Sequence, residues 1–236
     1  MNSIIISHIG KRESNQDFVL VEKMNPDTHL LLVADGMGGY ENGELAAKLV
    51  AENILTYLST VKNIDSIQIQ KAINKANLVI RQEKDKRGSK LGATVGGIIY
   101  HSNQAICFWV GDVKIFHFKN KKLIKESTSH TLMEEIIKNG SIKDSKQINK
   151  YKHVVTRSVQ GDVEHSKIEY FKVDNIDHSD LFMICSDGVH DIYEGLVIQN
   201  LLNSNDTLEK TVSQIESRLK FEAKDNFSLI ALSKHL

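Results

Sequence analysis

Apolar residues first gather in short strand-type runs, at residues 4–7, 18–22 and 29–34. The period then lengthens. Over residues 41–58, Leu45, Leu49, Ile54 and Leu58 approximate helical spacing, and over 67–81 Ile69, Ile73, Ala76 and Ile80 share one helical face. Strand patterns return at 93–100, 104–110, 113–118 and 121–125. The polar pairs Ser102-Asn103 and Asn120-Lys121 suit hairpin turns between them. Residues 131–139 predict a short helix, and the polar stretch 141–151 a mobile surface segment. The last third repeats the theme, with strands at 167–172 and 181–185, helices at 196–203 and 207–221, and a closing strand at 226–232. Hairpin-joined strand groups with helix pairs between them predict antiparallel sheets covered by helices, because a parallel sheet would alternate single strands with single helices. No linker, repeat or low-complexity tract divides the chain, so one domain over residues 1–236 is expected.

Composition narrows the function classes. Thirty Lys and Arg cancel thirty Asp and Glu, so the chain has no global attraction for nucleic acid or an anionic membrane. The longest clean apolar stretch, near residues 30–34, falls far short of the roughly 20 residues a membrane span needs. The N-terminus has no basic region, long apolar region or cleavage site, so no signal peptide is expected and the location predicted is cytoplasmic. Cys107 and Cys185 are too few for a disulfide framework or zinc cluster and read as buried small hydrophobes.

The carboxylates carry the chemistry. Two strand-type runs, 30–34 and 181–185, lead into Asp35-Gly36 and Ser186-Asp187-Gly188. Asp112 ends another strand-type run, Asp17 starts one, and Asp225 immediately precedes the last. One Asp-Gly after a strand is an ordinary turn. Five Asp at strand ends, if they converge, must relieve their repulsion with protons or cations, and hard oxygen donors suit Mg²⁺ or Mn²⁺. The glycine-rich 36–39 is not a dinucleotide fingerprint, because Glu41 stands where glycine is required; no phosphate-binding loop with its lysine occurs, and no histidine pair sits at zinc-hydrolase spacing.

Seven segments, in order, resemble those of the metal-dependent Ser/Thr protein phosphatases, the type 2C family. Arg12-Glu13-Ser14-Asn15-Gln16-Asp17 resembles its R-x-x-N-[EQ]-D opening, and Asp35-Gly36-Met37-Gly38-Gly39 its D-G-M-G-G form. Gly92-Ala93-Thr94, Gly111-Asp112, Thr156-Arg157-Ser158-Val159, Cys185-Ser186-Asp187-Gly188 and Asp225-Asn226-Phe227-Ser228 complete the series. The resemblance covers residues 12–232, nearly the whole chain. It implies an α+β fold, a four-layer αββα sandwich of two antiparallel sheets flanked by helix pairs.

It also implies two Mn²⁺ or Mg²⁺ per chain at one end of the sandwich. Asp35 would bridge both, the Gly36 carbonyl would bind the second, and Asp187 and Asp225 would complete the first. Asp17 would hold metal-bound water, Asp112 with Asp187 would form a third, weaker metal site, and Arg12 would bind substrate phosphate. The reaction implied is hydrolysis of phosphoserine or phosphothreonine by a hydroxide held between the cations. The partners implied are proteins phosphorylated by a Ser/Thr kinase, and a monomer is expected. Met37 replaces the histidine that many members carry there, so no general acid is assigned. Val113-Lys114 stands in place of Ser-Arg, and Ser129 in place of the Asp of a D-H-S pattern. Two other readings compete. A catalytically silent pseudophosphatase acting as a regulatory binding module would usually have lost a metal-binding Asp, and Asp35, Asp187 and Asp225 are all present. A nucleotide-binding oxidoreductase rests on one imperfect glycine loop.

Overall fold

Antiparallel strands with one solvated face normally alternate apolar and polar, yet residues 30–34 are continuously apolar. The computed structural model, which describes residues 2–37, 42–140 and 149–234, gives the reason. Strand β3 (Thr28–Gly36) lies inside a sheet covered on both faces. Leu30, Leu32 and Ala34 point into one core layer, Leu31 and Val33 into another. Such a strand must be apolar at every position.

The sheet around β3 has the order β2-β3-β4-β5-β8, with β2 at Asp17–Asn25, β4 at Ala93–His101, β5 at Gln104–Val110 and β8 at Glu169–Val173. The second sheet has the order β1-β10-β9-β6-β7, from β1 (Asn2–His8), β6 (Lys114–Lys119), β7 (Lys122–Glu126), β9 (Asp180–Cys185) and β10 (Phe227–Ser233). Every pairing is antiparallel. Both predicted turns are two-residue hairpin loops, and Ser102, Asn120 and Lys121 all take positive φ.

Helices α1 (Gly43–Leu58) and α2 (Ser66–Arg87) cover the first sheet, burying Ala46, Ala47, Val50, Ala51 and Ile54 from α1 and Ile69, Ala72, Ile73, Ala76 and Ile80 from α2. Helix α3 (Leu132–Asn139) follows β7 and is capped by Thr131, and the short α4 (Asp187–His190) follows β9. Helices α5 (Gly195–Ser204) and α6 (Leu208–Glu222) cover the second sheet through Ile198, Leu202, Val212, Ile215 and Leu219. A third apolar layer, including Trp109, Ile115, Phe182, Ile184 and Ile230, lies between the sheets. The architecture is therefore the expected αββα sandwich.

Several boundaries differ from expectation. Helix α2 runs on to Arg87, where Gly88 caps it at φ +63°. Its last turns are charged, so they carry no apolar period, and the Glu83–Arg87 pair at 3.0 Å supports them. Strand β8 starts at Glu169 instead of residue 167, because the Ile168 amide is taken by the Gln70 side chain of α2 at 2.9 Å. Strand β5 ends at Val110, so Asp112 sits just past the strand. Gly38 and Gly39, and residues 141–148 of the expected surface segment, lie outside the described residues.

Candidate metal and phosphate site

Antiparallel alternation brings the carboxylates together. β3 ends where β2 begins, and Asp17 is the direct partner of Asp35 in the ladder, with Thr94 opposite Asp35 on its other side. In the second sheet, β9 ends beside the start of β10, which places Asp187 near Asp225. The sheets meet at this end, where Ser186 Oγ donates to Asp17 Oδ2 at 2.7 Å. A cavity of about 940 Å³ opens there, lined by Arg12, Asp35, Gly36, Met37, Asp112, Asp187 and Asp225 among others. Asp17 is buried behind it.

Local structure explains the flanking motif residues. Asn15 Oδ1 accepts the Asp17 amide at 3.1 Å. Asn226 ties down the loop that carries Arg12: its side-chain amide donates to the carbonyls of Ile9 at 2.8 Å and Ser14 at 2.9 Å, and its Oδ1 accepts from the Gln16 amide at 2.9 Å. Gly36 does not have positive φ. Glycine is needed there for close approach, since a Cβ would lie 2.3 Å from the Gly43 carbonyl oxygen.

The electrostatics are unfavourable without cations. Asp35 and Asp187 keep some exposure at the cavity wall, 18% for the Asp187 side chain, but protein encloses them on the other sides. This desolvation, followed for Asp35 by the charges of Asp17 and Asp187 and for Asp187 by those of Asp112 and Asp225, holds both well above the usual carboxylate range. Burial pushes Asp17 up to about 6 despite hydrogen bonds from Ser186 and Ser228, and it raises Asp112 as well. The protein's own cations lean on this cluster. Arg12 contacts Asp225 Oδ2 at 2.5 Å, and Lys152 contacts Asp191 Oδ1 at 2.8 Å.

All seven residues expected at the site, Arg12, Asp17, Asp35, Gly36, Asp112, Asp187 and Asp225, converge on this end. The structure adds Asp191 and His153. His153 lies 3.9 Å from Asp187 and 3.6 Å from Asp191, and one ligand atom from each of the three lies within 4.8 Å of the others. The i,i+4 spacing of Asp187 and Asp191 was the available signal for Asp191. His153 arrives from a distant segment and carried none. The structure also adds His190, whose Nε2 donates to the Asp112 carbonyl at 3.0 Å and whose burial pushes its pKa down to about 3.

Comparison with known proteins places this geometry in a family. The serine/threonine phosphatase stp of Listeria monocytogenes is 26% identical over 95% of this chain and 92% of its own. The crystal structure of serine/threonine phosphatase Stp1 from Staphylococcus aureus superposes with a TM-score of 0.86 at 20% identity, covering 99% of this chain and 95% of that one. The catalytic domain of the serine/threonine protein phosphatase PstP, solved in complex with two manganese ions, gives 0.79 at 22% identity, covering 98% and 96%. The protein phosphatase 2C family model matches residues 6–233, and the chain belongs to that family.

Proposed function

We propose that this protein is a metal-dependent phosphatase of phosphoserine and phosphothreonine in proteins. One observation carries the reading: Asp35, at the end of β3, and Asp187, just past β9 of the other sheet, desolvated and mutually repelling, face one cavity with Arg12 at its rim. The donors are hard oxygens, and positively charged side chains already lie on Asp225 and Asp191, so the site fits Mn²⁺ or Mg²⁺. Asp35 would contact both of two cations, with the Gly36 carbonyl on one and Asp187 and Asp225 on the other; Asp112 with Asp187 would hold a third. Bound cations supply Lewis-acid stabilisation of phosphoryl charge and lower the pKa of water.

The chain's own residues do the rest. Asp17, held by Ser186 behind the cavity, would orient metal-bound water. The Arg12 fork that now pairs with a carboxylate fits a phosphate dianion equally well, and at 51% side-chain exposure it is free to turn toward one. The thioether of Met37 offers no proton to the departing alkoxide.

The further parts of the reading are a single domain over residues 1–236, substrates made by a Ser/Thr kinase, a cytoplasmic monomer and no nucleic-acid partner. Zero net charge supports the last of these. Among the described residues, no helix is long and apolar enough to cross a membrane. Turnover of p-nitrophenyl phosphate and of a phosphothreonine peptide, with Mn²⁺ and after exhaustive chelation, tests the proposal. Metal-dependent release of phosphate from both is expected. Its absence with Mn²⁺ bound would favour a silent binding module, and full activity after chelation would remove the metal from the reaction.

A further inference from the structure

Asp112 enters the cavity on a turn whose shape is set from elsewhere in the chain. Gly111 has φ +105°, and a Cβ there would lie 2.3 Å from the Thr94 Cβ, so only glycine fits. Gly111 also lies beyond the last β4–β5 pair, Val95 with Val110, and has no ladder partner. A buried amide in that position needs another acceptor. His130 provides it: the Gly111 amide donates to His130 Nδ1 at 3.0 Å, and the His130 amide donates to the Gly111 carbonyl at 2.8 Å. One residue therefore takes both backbone polar groups of Gly111.

The ring is locked on its other sides. It is buried, and it stacks on Trp109 at 6.2 Å between centroids, while the Trp109 indole donates to the Thr128 carbonyl at 2.8 Å. An imidazole that accepts at Nδ1 carries its proton on Nε2. Nε2 lies 3.3 Å from both Glu169 Oε1 and Arg157 Nη1, and Arg157 also holds that carboxylate at 3.1 Å; the Gly111 amide on Nδ1 decides the tautomer and aims the Nε2 proton at Glu169. Burial and the Arg157 charge push the ring down to about 4, which keeps it neutral.

The backbone of the same residue reaches a second segment of the cavity lining, the one that includes His153 and Val155. The His130 carbonyl accepts from the Thr156 amide at 2.8 Å, Thr131 bridges to Val155, and the Leu132 amide donates to the Val154 carbonyl at 2.8 Å. Residues 154–156 directly follow Lys152 and His153, which lie on Asp191 and Asp187.

We propose that His130 is a positioning residue that fixes the Gly111–Asp112 turn through Nδ1 and ties that turn to the segment carrying Lys152 and His153. Asp112 and His153 then keep their places in the cavity together. The structural part stands without the phosphatase reading, and only its kinetic consequence rests on it.

The test uses two variants that split the imidazole. His130→Asn keeps an acceptor where Nδ1 stands, and His130→Gln moves the polar end to where Nε2 stands. In the metal-free protein, NMR exchange of the Gly111 amide is expected to stay slow in wild type and His130→Asn. In His130→Gln it should quicken by about tenfold, the scale of one buried hydrogen bond, while the amides of β3 are unchanged. In a Mn²⁺-loaded phosphopeptide assay, kcat should fall in His130→Gln with little change in KM and recover in His130→Asn. Equal Gly111 exchange in all three proteins, or equal damage by both variants, overturns the proposal. If neither variant folds, wild type decides alone: the nitrogen spectrum of His130 should show an unprotonated Nδ1, and a proton on Nδ1 overturns the proposal. A wild type without phosphatase activity would defeat the functional reading and leave the exchange result to judge this one.

Discussion

Ser186, at the end of β9, donates its hydroxyl to Asp17, at the start of β2, and so joins the two sheets at the mouth of the sandwich. The same oxygen accepts the Ser228 amide at 3.0 Å, and Ser186 is fully buried. Ser186→Ala leaves the Ser228 amide and one Asp17 oxygen without that partner. Losing a buried bond of this kind costs about 1–3 kcal/mol. Denaturant titration of the metal-free protein should read a loss in that range, and calorimetry should read weaker Mn²⁺ binding because Asp17 is no longer oriented. Unchanged stability would show that water replaces the hydroxyl and that the sheets are not joined there.

Arg12 and Asp225 predict opposite effects on metal and on substrate. Their pair is half-exposed, so removing it should cost little stability. Arg12→Ala frees Asp225, so Mn²⁺ affinity by calorimetry should be equal or tighter. The KM for a phosphate ester should rise, since the lost contact serves ground and transition states alike. Weaker metal binding in Arg12→Ala would mean that Arg12 orders the site instead of holding phosphate.

Cys107 and Cys185 are buried and unpaired, and burial raises the pKa of both thiols. A protonated, enclosed thiol is a poor nucleophile. Native protein should resist a thiol reagent for as long as it stays folded and should react at both cysteines in denaturant. Rapid labelling of native protein would show local opening of β5 or β9.

Much of this fold was legible because each strand carries its own evidence. The unbroken apolar run 30–34 states that both faces are covered, and the polar pairs at 102–103 and 120–121 mark hairpins. The Asp residues could be placed at strand ends, and antiparallel pairing then brings those ends together. Elements fixed by distant partners were not legible. Helix α4 is a four-residue turn, too short for any period. His153 comes from a segment whose register is set by His130 and Thr131, far from Asp187 in sequence. The start of β8 depends on a Gln70 side chain from helix α2. Local pattern carries no information about such tertiary partners.

The crowded carboxylates make the metal-free protein sensitive to pH in a direction that can be worked out. Asp17, Asp35 and Asp187 have folded pKa values above their ordinary 3.8, about 6 for Asp17. For such groups the folded state binds protons more tightly than the unfolded one, so their contribution to stability is full below about pH 4 and is lost as pH rises through the folded values. Asp177 and Asp180 act oppositely. Hydrogen bonds from Ser179 and then Lys119 lower Asp177, and at Asp180 bonds from Lys119, the Asp177 amide and His117 outweigh burial. Their contribution fades only in more acid solution. His130 and His190, held by burial at about 4 and about 3, lose stability as pH falls below their ordinary 6.5, so the carboxylate effect is read as the difference between wild type and Asp35→Asn over about pH 5 to 7. Asp35→Asn removes one charge from the cluster, so its metal-free form should gain on wild type as pH rises and melt at or above it near pH 7.5. Mn²⁺ should raise the melting temperature of wild type at that pH and leave Asp35→Asn nearly unmoved and inactive. Melting curves across this pH range, with chelator and with Mn²⁺, separate the alternatives. If metal-free Asp35→Asn melts far below wild type, or still gains as much from Mn²⁺, Asp35 is a structural turn residue and the metal centre lies elsewhere.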